Sequence, residues 1–375
     1  MVDPWRGRLN PLIWFFFLKI KMDQAHISGT AVIITGGLLH DSHAKTAHGL
    51  LRAGKRFKIL GIIDEKNAGS DASDFVEGTS KGIPVVQSID VFIHSFGKPE
   101  FAIIGMATKG GLLPRELYAS IQNVLKNGIH LVNGLHEPLN DLDELKPLLV
   151  GGAKIFDIRK PKAFKDLHFW QGKVAQITAL KIAVLGMDCA TGKRTTSRFL
   201  EEQLNAKGHP AEMIYTGQTG WMQGADYGLL FDATPNDFIP GELEYALYSC
   251  WEEKRVDILI IEGQSSLRNP SGPCGSEFII SGDLDGVILQ HVPMRKKFSG
   301  FEKYPAHIPD ILNEVMLIEH LGTRVLGITL NGEGAATEQL SKYRDSLAQK
   351  TSIPIIIPMI EPMDPIISNV LNQKL

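Results

Sequence analysis

A short segment, Lys181–Thr196, carries residue types that bind phosphate groups. Its sequence, KIAVLGMDCATGKRTT, passes from an apolar run through a glycine-containing turn into a helix-like stretch. Gly186 and Gly192 would let the backbone approach an anion closely, since a Cβ atom would block that approach. Backbone N–H groups at the start of the helix and the ammonium of Lys193 would then face the phosphate. The spacing predicts a phosphate-binding loop, which we call the P-loop (residues 186–193).

Two features distinguish this P-loop from the commonest form. Five residues, rather than four, separate its glycines, a spacing that resembles the GxDxxxGK loop of dethiobiotin synthetase-like enzymes. Arg194 follows the lysine as a second cation, so the first hydroxyl belongs to Thr195, about 100° around and 1.5 Å along a helix from its usual place. Thr195 would therefore hold Mg²⁺ only if the ligand is a magnesium nucleotide. Asp188 is predicted either to contact the ligand or to stiffen the loop by a local backbone bond, and Lys193 is expected to be solvated without ligand.

Three side chains could move a proton near the P-loop, and we take them as candidate catalytic residues. Glu262 ends the apolar run VDILIIEG, and the carboxyl ends of parallel strands line the ligand crevice, so it could act as a base or as a Mg²⁺ ligand. Asp237 begins the helical run 238–254, where it would either cap the helix or act on a substrate. His291 ends the run GVILQHV and would be either a base near neutral pH or a hydrogen-bonded structural residue.

Turns rich in glycine and amide residues follow several other apolar runs. GMATKGG contains Gly110 and Gly111, and NGLHEPL contains His136. TGQTG contains Gln218, and IEGQSS contains Gln264. Backbone N–H groups in such turns bind carboxylates or phosphates. We therefore expect these five residues to contact a small-molecule substrate.

Short β-branched runs alternate with amphipathic stretches along most of the chain. In the helical stretch Arg115–Asn127, apolar residues recur at helical spacing. Alternating strand and helix units predict mostly parallel, doubly wound sheets, covered on both faces because the runs are continuously apolar. The expected fold class is α/β, with two tandem domains of Rossmann-like and P-loop type. Strands are expected at 31–35, 57–63, 101–105, 129–133, 153–158, 180–186, 211–216, 256–263, 286–292, 324–330 and 353–358.

The Lys/Pro-rich stretch RKPKAFK (159–165) interrupts this pattern and marks the predicted domain boundary. We assign residues 28–165 to a Rossmann-like N-terminal domain and residues 166–375 to a P-loop NTPase-like C-terminal domain. Residues 1–27 precede the first strand and are predicted to be a tail. The tail contains the apolar run LIWFFFL, which is much shorter than the roughly 20 residues of a membrane span.

Composition narrows the class of partner. The 375 residues include 39 Lys+Arg and 42 Asp+Glu, a formal charge of −3 without a long basic run, which argues against a nucleic-acid binder. Hydrophobic residues at 43% and charged residues at 22% are typical of a folded globular chain. Three dispersed cysteines indicate neither disulfides nor a zinc site and fit a cytoplasmic protein. We expect a small-molecule partner and no membrane association, and a homo-oligomer is allowed.

The sequence resembles a bacterial and archaeal family of two-domain proteins long described only as a domain of unknown function. The resemblance rests on the segments KTAHGLLR (45–52), GIPVV (82–86), GMATKGG (105–111), NGLHEPL (133–139), FDIRKP (156–161), MDCATGKRTT (187–196), TGQTG (216–220), DFIPGELE (237–244) and IEGQSSL (261–267). Some members of this family are described as D-glutamate N-acetyltransferases. The resemblance implies acetyl-CoA as donor and a small acidic amino acid as acceptor.

These observations leave three hypotheses for function. The resemblance implies an acetyl-CoA-dependent N-acetyltransferase, in which the P-loop holds the donor's phosphates and one of the candidate catalytic residues takes the ammonium proton. The P-loop alone favours an ATP- and Mg²⁺-dependent ligase or kinase like dethiobiotin synthetase, with Lys193 on the β/γ-phosphates and Glu262 on Mg²⁺. The third hypothesis is a non-catalytic nucleotide-sensing module, which would bind its ligand without turnover.

Overall fold

The structure of the protein is a computed structural model. It describes residues 27–76, 81–358 and 360–374. Apart from Ile27, the predicted N-terminal tail therefore lies outside the described residues. Among the helices of the described part, none is long and apolar enough to cross a membrane.

The chain forms two compact units. The first unit ends at Arg159 and also includes Met222–Gly224, whereas the second contains Lys160–Trp221 and Ala225–Leu375. The domain boundary that we place after residue 165 stays a prediction.

The first unit contains a six-stranded sheet with the order β3-β2-β1-β4-β5-β6, and its neighbouring strands pair in parallel. The strands are β1 (Gly29–Ile34), β2 (Phe57–Ile63), β3 (Val85–Val86), β4 (Phe101–Ile104), β5 (His130–Asn133) and β6 (Ile155–Asp157). The α-helices are Lys45–Arg52, Ile89–Phe96 and Arg115–Lys126. Because β1 lies at the centre, its carboxyl end is the point where the strand order reverses.

The second unit contains another six-stranded parallel sheet, with the order β12-β11-β10-β7-β9-β8. The strands are β7 (Leu180–Gly186), β8 (Ala211–Ile214), β9 (Ile258–Glu262), β10 (Gly286–His291), β11 (Val325–Leu330) and β12 (Ile355–Ile356). The α-helices from Lys160 onward are Lys193–Ala206, Gln218–Gln223, Ile239–Lys254, Ser276–Ser281, Ile311–His320, Thr337–Ala348 and Asp364–Leu371. β9 and β10 flank β7, so the carboxyl ends of these three strands lie together.

Two hydrophobic clusters cover the two faces of the second sheet. One cluster takes Ala183 and Leu185 from β7, and the other takes Ile182 and Val184 from the same strand. Successive side chains of a strand point to opposite faces, so both faces of β7 are buried. This arrangement explains why the strands are continuously apolar, and it confirms the predicted α/β fold class with parallel sheets.

Nine of the eleven expected strands differ from the observed ones by one or two residues at one or both ends. β3 was not predicted, because a strand of two residues gives no periodic signal. β12 contains only Ile355–Ile356, since Pro354 and Pro358 lie on either side and proline cannot donate to a sheet ladder. The strands at 57–63 and 180–186 have the bounds that we expected.

Candidate functional site

The P-loop connects β7 to the helix Lys193–Ala206. The chain turns back over the end of the strand, since a Cβ atom on Gly186 would lie 2.7 Å from Thr191 Oγ1. Gly192 has a φ angle of +103°, a conformation that residues with side chains rarely adopt. Backbone conformation therefore requires glycine at Gly192, whereas at Gly186 a Cβ atom would meet the side chains of Thr191 and Lys193. The helix start, whose first N–H groups have no acceptor within the helix itself, lies at the end of this loop.

Lys193 is buried, with a relative exposure of 7%. Its Nζ donates to the backbone oxygens of Asp188 (2.6 Å) and Ser265 (2.8 Å). The expectation of a solvated lysine is wrong, because the carbonyl of Ser265, 72 residues further along the chain, lies over the ammonium. Burial lowers the pKa of Lys193. Among the described ion pairs none gives this lysine a carboxylate partner, so its charge is not neutralised by a salt bridge.

Asp188 joins the P-loop to two other loops. It is fully buried, and its Oδ2 accepts from Arg295 Nη1 (2.8 Å) and from the backbone N–H of Ser299 (2.9 Å). Its Oδ1 accepts from Asn269 Nδ2 (3.2 Å). The donors of these three bonds lie outside the P-loop, so this side chain does not make the predicted local Asx bond. Asp188 instead fixes the position of the P-loop relative to the loops that follow β9 and β10.

Arg295 is a residue that the sequence analysis did not select. Its Nη1 also donates to the backbone oxygen of Cys189 (2.7 Å), and its Nη2 lies 2.9 Å from both carboxylate oxygens of Glu333. Asn331 adds a further contact, since its Nδ2 donates to the backbone oxygen of Thr191 (2.9 Å). The only local signal for these residues was their position just after strand ends, which many loop residues share.

Glu262 lies at the end of β9, beside the P-loop strand, and is 5% exposed. The backbone N–H of Thr216 donates to its Oε2 (3.3 Å), and Thr216 Oγ1 donates to its backbone oxygen (2.6 Å). Burial raises the pKa of Glu262, whereas the charges of Arg194 and Lys193 oppose this rise. A carboxylate with a raised pKa is a better base near neutral pH than an ordinary exposed one.

The hydroxyl groups in the first turn of the helix after the P-loop differ in their burial. Arg194 and Thr195 are both half-buried. Thr196 is buried, and its Oγ1 donates to Gln290 Oε1 on β10 (2.5 Å). Among the described residues, no group of three or more His, Cys, Asp or Glu side chains is arranged to hold a metal ion. Any Mg²⁺ at Glu262 and Thr195 would thus depend on oxygen atoms of the ligand.

Two of the predicted substrate-binding residues lie in this second unit. Gln264 Nε2 donates to Thr216 Oγ1 (3.0 Å), so Gln264 and Glu262 share one threonine. Gln218 is 6% exposed at the start of the helix Gln218–Gln223. Thr216 was missed as an individual residue, although the TGQTG motif that contains it was selected.

The other three predicted substrate-binding residues lie in the first unit. Gly110 is exposed and Gly111 is buried, and both have positive φ angles (+74° and +68°). The backbone N–H of His136 donates to the backbone oxygen of Gly111 (2.9 Å), and the His136 side chain is exposed. The structure therefore brings the GMATKGG and NGLHEPL turns together at the carboxyl ends of β4 and β5.

Asp237 and His291 do not join the contacts around Lys193. Asp237 is exposed in the turn Asn236–Phe238, and Phe238, not Asp237, is the N-cap of the following helix, so the capping interpretation is wrong. His291 is buried at the end of β10. Gln290 contacts Thr196 on one face of the sheet, so His291, the next residue, points to the opposite face.

The DFIPGELE motif has a structural role in this unit. Glu242 Oε1 accepts from the backbone N–H of His168 (2.9 Å), and Glu244 Oε2 accepts from the backbone N–H of Gln171 (2.7 Å). A Cβ atom on Gly241 would lie 2.1 Å from the backbone oxygen of His168. The two buried acids and the glycine thus hold the segment around His168 against the helix Ile239–Lys254.

The fold and site define an α/β protein of two units, with a P-loop in the second. The chain belongs to the DUF1611 family, which is described as a domain of unknown function. The family's C-terminal P-loop domain matches residues 168–367, and its N-terminal Rossmann-like domain matches residues 65–161. The family membership expected from the sequence motifs is therefore confirmed.

Similar proteins extend this comparison. The crystal structure of a DUF1611 family protein from Anabaena variabilis is 27% identical and superposes with a TM-score of 0.84, over 92% of this chain and 100% of that one. A D-glutamate N-acetyltransferase from Pseudoalteromonas sp. is 28% identical over 275 residues, which are 71% of this chain and 80% of the relative. A D-glutamate N-acetyltransferase from Tritonibacter scottomollicae is 26% identical over 262 residues, or 68% and 76% of the two chains.

Proposed function

We propose that this protein is an enzyme that transfers an acetyl group from acetyl-CoA to the amino group of a small acidic amino acid of the D-glutamate type. The observation that carries the proposal is the likeness to two D-glutamate N-acetyltransferases over about two thirds of the chain. The geometry at the carboxyl ends of β7 and β9 supports it, because a phosphate-binding loop lies there beside a buried carboxyl group.

The residues of the P-loop fit the phosphates of a CoA donor. Gly186 and Gly192 give the loop its compact form, since a Cβ atom on Gly186 would lie 2.7 Å from Thr191 Oγ1 and Gly192 has a positive φ angle. Lys193 has only backbone oxygens as described partners, so its ammonium can exchange them for phosphate oxygens. Arg194 adds a second cation at the same helix end. When bound, acetyl-CoA would supply a reactive thioester carbonyl.

Glu262 is the base in the proposed reaction. It takes a proton from the acceptor's ammonium, and the freed nitrogen forms a bond to the acetyl carbon as the carbon–sulfur bond breaks. The sulfur leaves as a thiolate, which takes up a proton. A buried carboxyl with a raised pKa suits this step better than the exposed Asp237.

One observation favours the alternative, an ATP- and Mg²⁺-dependent ligase or kinase. Glu262 lies on the strand next to the P-loop strand, where a carboxylate could hold Mg²⁺ against a nucleotide. The displaced Thr195 argues the other way, because the usual hydroxyl ligand is not at its usual helical position. The nucleotide-sensing hypothesis predicts that ATP binds without being consumed.

A thermal-shift screen separates these functions. We expect CoA and acetyl-CoA, at about a hundred times their dissociation constants, to stabilise the protein by about 2.7 kcal/mol, a rise of roughly 5 to 10 °C, without Mg²⁺. Lys193→Met should abolish most of the rise, whereas Lys342→Met, at an exposed lysine of the same unit, should not. A shift with ATP that requires Mg²⁺, and none with CoA, would support the ligase instead.

A further inference from the structure

A cavity of about 470 Å³ lies at the amino ends of three adjacent strands of the first unit, and we call it the amino-edge cavity. Ser28 precedes β1, the segment from Lys98 to Phe101 leads into β4, and Gly128 and His130 lead into β5. The volume falls within the range of small-molecule sites, about 300 to 1,000 Å³. The GMATKGG and NGLHEPL turns follow the carboxyl ends of β4 and β5, so the cavity is separate from them.

Two oppositely charged side chains line this cavity without pairing with each other. Lys98 and Glu100 are both exposed, and none of the ion pairs between described residues includes either of them. Glu100 Oε2 accepts from the backbone N–H of Thr30 (2.8 Å) and from Thr30 Oγ1 (3.1 Å), which holds the carboxylate at β1. The ammonium of Lys98 lies against Gly128, since a Cβ atom there would be 3.0 Å from Nζ. An ammonium and a carboxylate are thus both available to a ligand.

His130 adds a neutral hydrogen-bond donor to the amino-edge cavity. Its Nδ1 accepts from the backbone N–H of Lys154 (3.1 Å), so the neutral imidazole carries its proton on Nε2. Burial, together with the charge of Lys154, lowers the pKa of His130, and hydrogen bonds from Thr30 lower the pKa of Glu100. At pH 7 the cavity therefore has one positive charge, one negative charge and one uncharged N–H donor.

The wall beside these polar groups is apolar. The ring of Phe101 is 6% exposed, and its centroid lies 5.4 Å from that of Phe57 and 5.3 Å from that of His130. Pro99 is also buried. Rings packed on both sides fix the position of this wall, and a ligand with an apolar group would bury that group against it.

We infer that the amino-edge cavity binds a small zwitterion, an α-amino acid with an apolar side chain. Lys98 and His130 Nε2 bind its carboxylate, and Glu100 binds its ammonium. Glu100 would repel a simple anion and Lys98 would repel a simple cation, whereas a zwitterion compensates both charges. The P-loop and Glu262 are not part of this cavity, so the inference does not depend on the proposed acetyl transfer.

Calorimetric titration of the full-length protein with leucine, N-acetylleucine and leucinamide tests this inference. Leucine carries both charges at pH 7, whereas N-acetylleucine lacks the ammonium and leucinamide lacks the carboxylate. We expect saturable binding of leucine at millimolar concentrations. Each blocked form should bind at least tenfold more weakly, because it leaves one charge of the cavity without a partner.

Two variants remove these charges with little effect on the fold. Glu100→Gln keeps an oxygen that can accept the hydrogen bonds of the carboxylate, and Lys98→Met changes an exposed side chain. Each should weaken leucine binding about tenfold or more. Lys58→Met is the matched control. Since Phe57 packs on Phe101, the exposed Lys58 that follows it points to the opposite face of the sheet, and its variant should bind leucine as the wild type does.

The outcomes also separate this inference from the proposed function. Leucine binding that is absent in the wild type, unchanged in either cavity variant, or matched by a blocked form would overturn the inference. If leucine binds through Lys98 and Glu100 but no acetyl transfer to D-glutamate occurs, the cavity site stands and the proposed function fails. If transfer occurs and leucine does not bind, the inference fails and the function stands.

Discussion

The two units each bury an aspartate near the carboxyl ends of their strands, but the hydrogen-bond donors of the two aspartates differ. Each contains a parallel sheet whose first strand is central, and each buries an aspartate near the carboxyl ends of its strands. In the first unit, Asp64 Oδ2 accepts from Thr35 Oγ1 (2.6 Å) and from the backbone N–H of Leu39 (3.1 Å), and Asn67 donates to its Oδ1. In the second unit, Asp188 accepts from a guanidinium as well as from neutral donors.

The two units differ in the charged side chains that they bury near the carboxyl ends of their strands. The donors of Asp64 are neutral and lie in neighbouring loops, so this acid holds the turns of the first unit closed. In a dinucleotide-binding fold, an acid at this position would bind ribose, but here its oxygens are already occupied. The second unit instead buries Lys193 and Glu262, and none of the ion pairs in the described part of the chain includes either of them, a costly arrangement that is typical of functional sites.

The two units also differ in their unfavourable backbone conformations. Among the described residues, the non-glycine residues with positive φ are Ala190, Arg255, Ser265 and Asp283, all in the second unit. Ala190 lies in the P-loop, and the carbonyl of Ser265 accepts from Lys193. Unfavourable backbone conformations persist only where the surroundings fix them, and they cluster at functional sites.

Removing the two buried aspartates should give the largest effects and the sharpest contrast. Asp188→Ala breaks the buried ion pair with Arg295, which keeps Glu333, and removes the acceptor of Asn269 and Ser299, so it should lower the free energy of unfolding by about 3 kcal/mol or more. Asp64→Ala breaks bonds to neutral donors and should cost about 1 to 3 kcal/mol. Chemical denaturation measures both values. Equal losses in the two variants would contradict the comparison, as would a CoA affinity that survives in Asp188→Ala.

Lys193→Met should act on the ligand rather than on the fold. Loss of a charge-assisted hydrogen bond should weaken CoA binding by about 2 kcal/mol, or roughly 30-fold. The unliganded protein should change little, because removal of a desolvated charge offsets the loss of donors to two carbonyl groups. Titration calorimetry and denaturation measure the two quantities separately. A large loss of stability with unchanged CoA affinity would make Lys193 a structural residue.

Glu262→Gln should stabilise the unliganded protein at neutral pH while it abolishes activity. Folding raises the pKa of Glu262, so between the ordinary and the raised pKa the folded state binds more protons than the unfolded state. The free energy of unfolding therefore falls as the pH rises from the ordinary pKa of a glutamate through the raised pKa. The neutral variant avoids this loss and should be more stable by about 1 kcal/mol at pH 8. The gap should close as the pH falls below the ordinary pKa of a glutamate. A variant that is less stable at pH 8 would show that the carboxylate stabilises the fold.

The smallest effect is expected in the first unit, at Gly110. A Cβ atom there meets nothing within 4 Å, so Gly110→Ala should cost only the strain of its positive φ, about 1 kcal/mol. Gly111→Ala should cost more, about 2 kcal/mol, because its Cβ atom would lie 2.2 Å from His136 Cδ2. Thermal unfolding measures both changes. A loss of CoA affinity in either variant would contradict the assignment of the donor site to the second unit.

Local patterns predicted what depends on neighbours in sequence. The strand Leu180–Gly186 and the glycines of the P-loop follow from one continuous segment, and their bounds were read from it. The burial of Lys193 was not predictable, because it depends on the carbonyl of Ser265, 72 residues away. The role of Asp188 likewise depends on Arg295, 107 residues away. Such long-range partners carry no signal in a single sequence.

In the proposed function, the P-loop and Glu262 serve acetyl transfer rather than nucleotide hydrolysis. The most direct test incubates the full-length protein with acetyl-CoA and D-glutamate in the presence of EDTA, and measures thiol release and N-acetylglutamate together. We expect equimolar products, unaffected by EDTA, and at least a hundredfold loss of rate in Glu262→Gln, within the range for removal of a general base. No thiol release in this incubation, together with Mg²⁺-dependent ADP formation in a parallel incubation with ATP, would contradict this function.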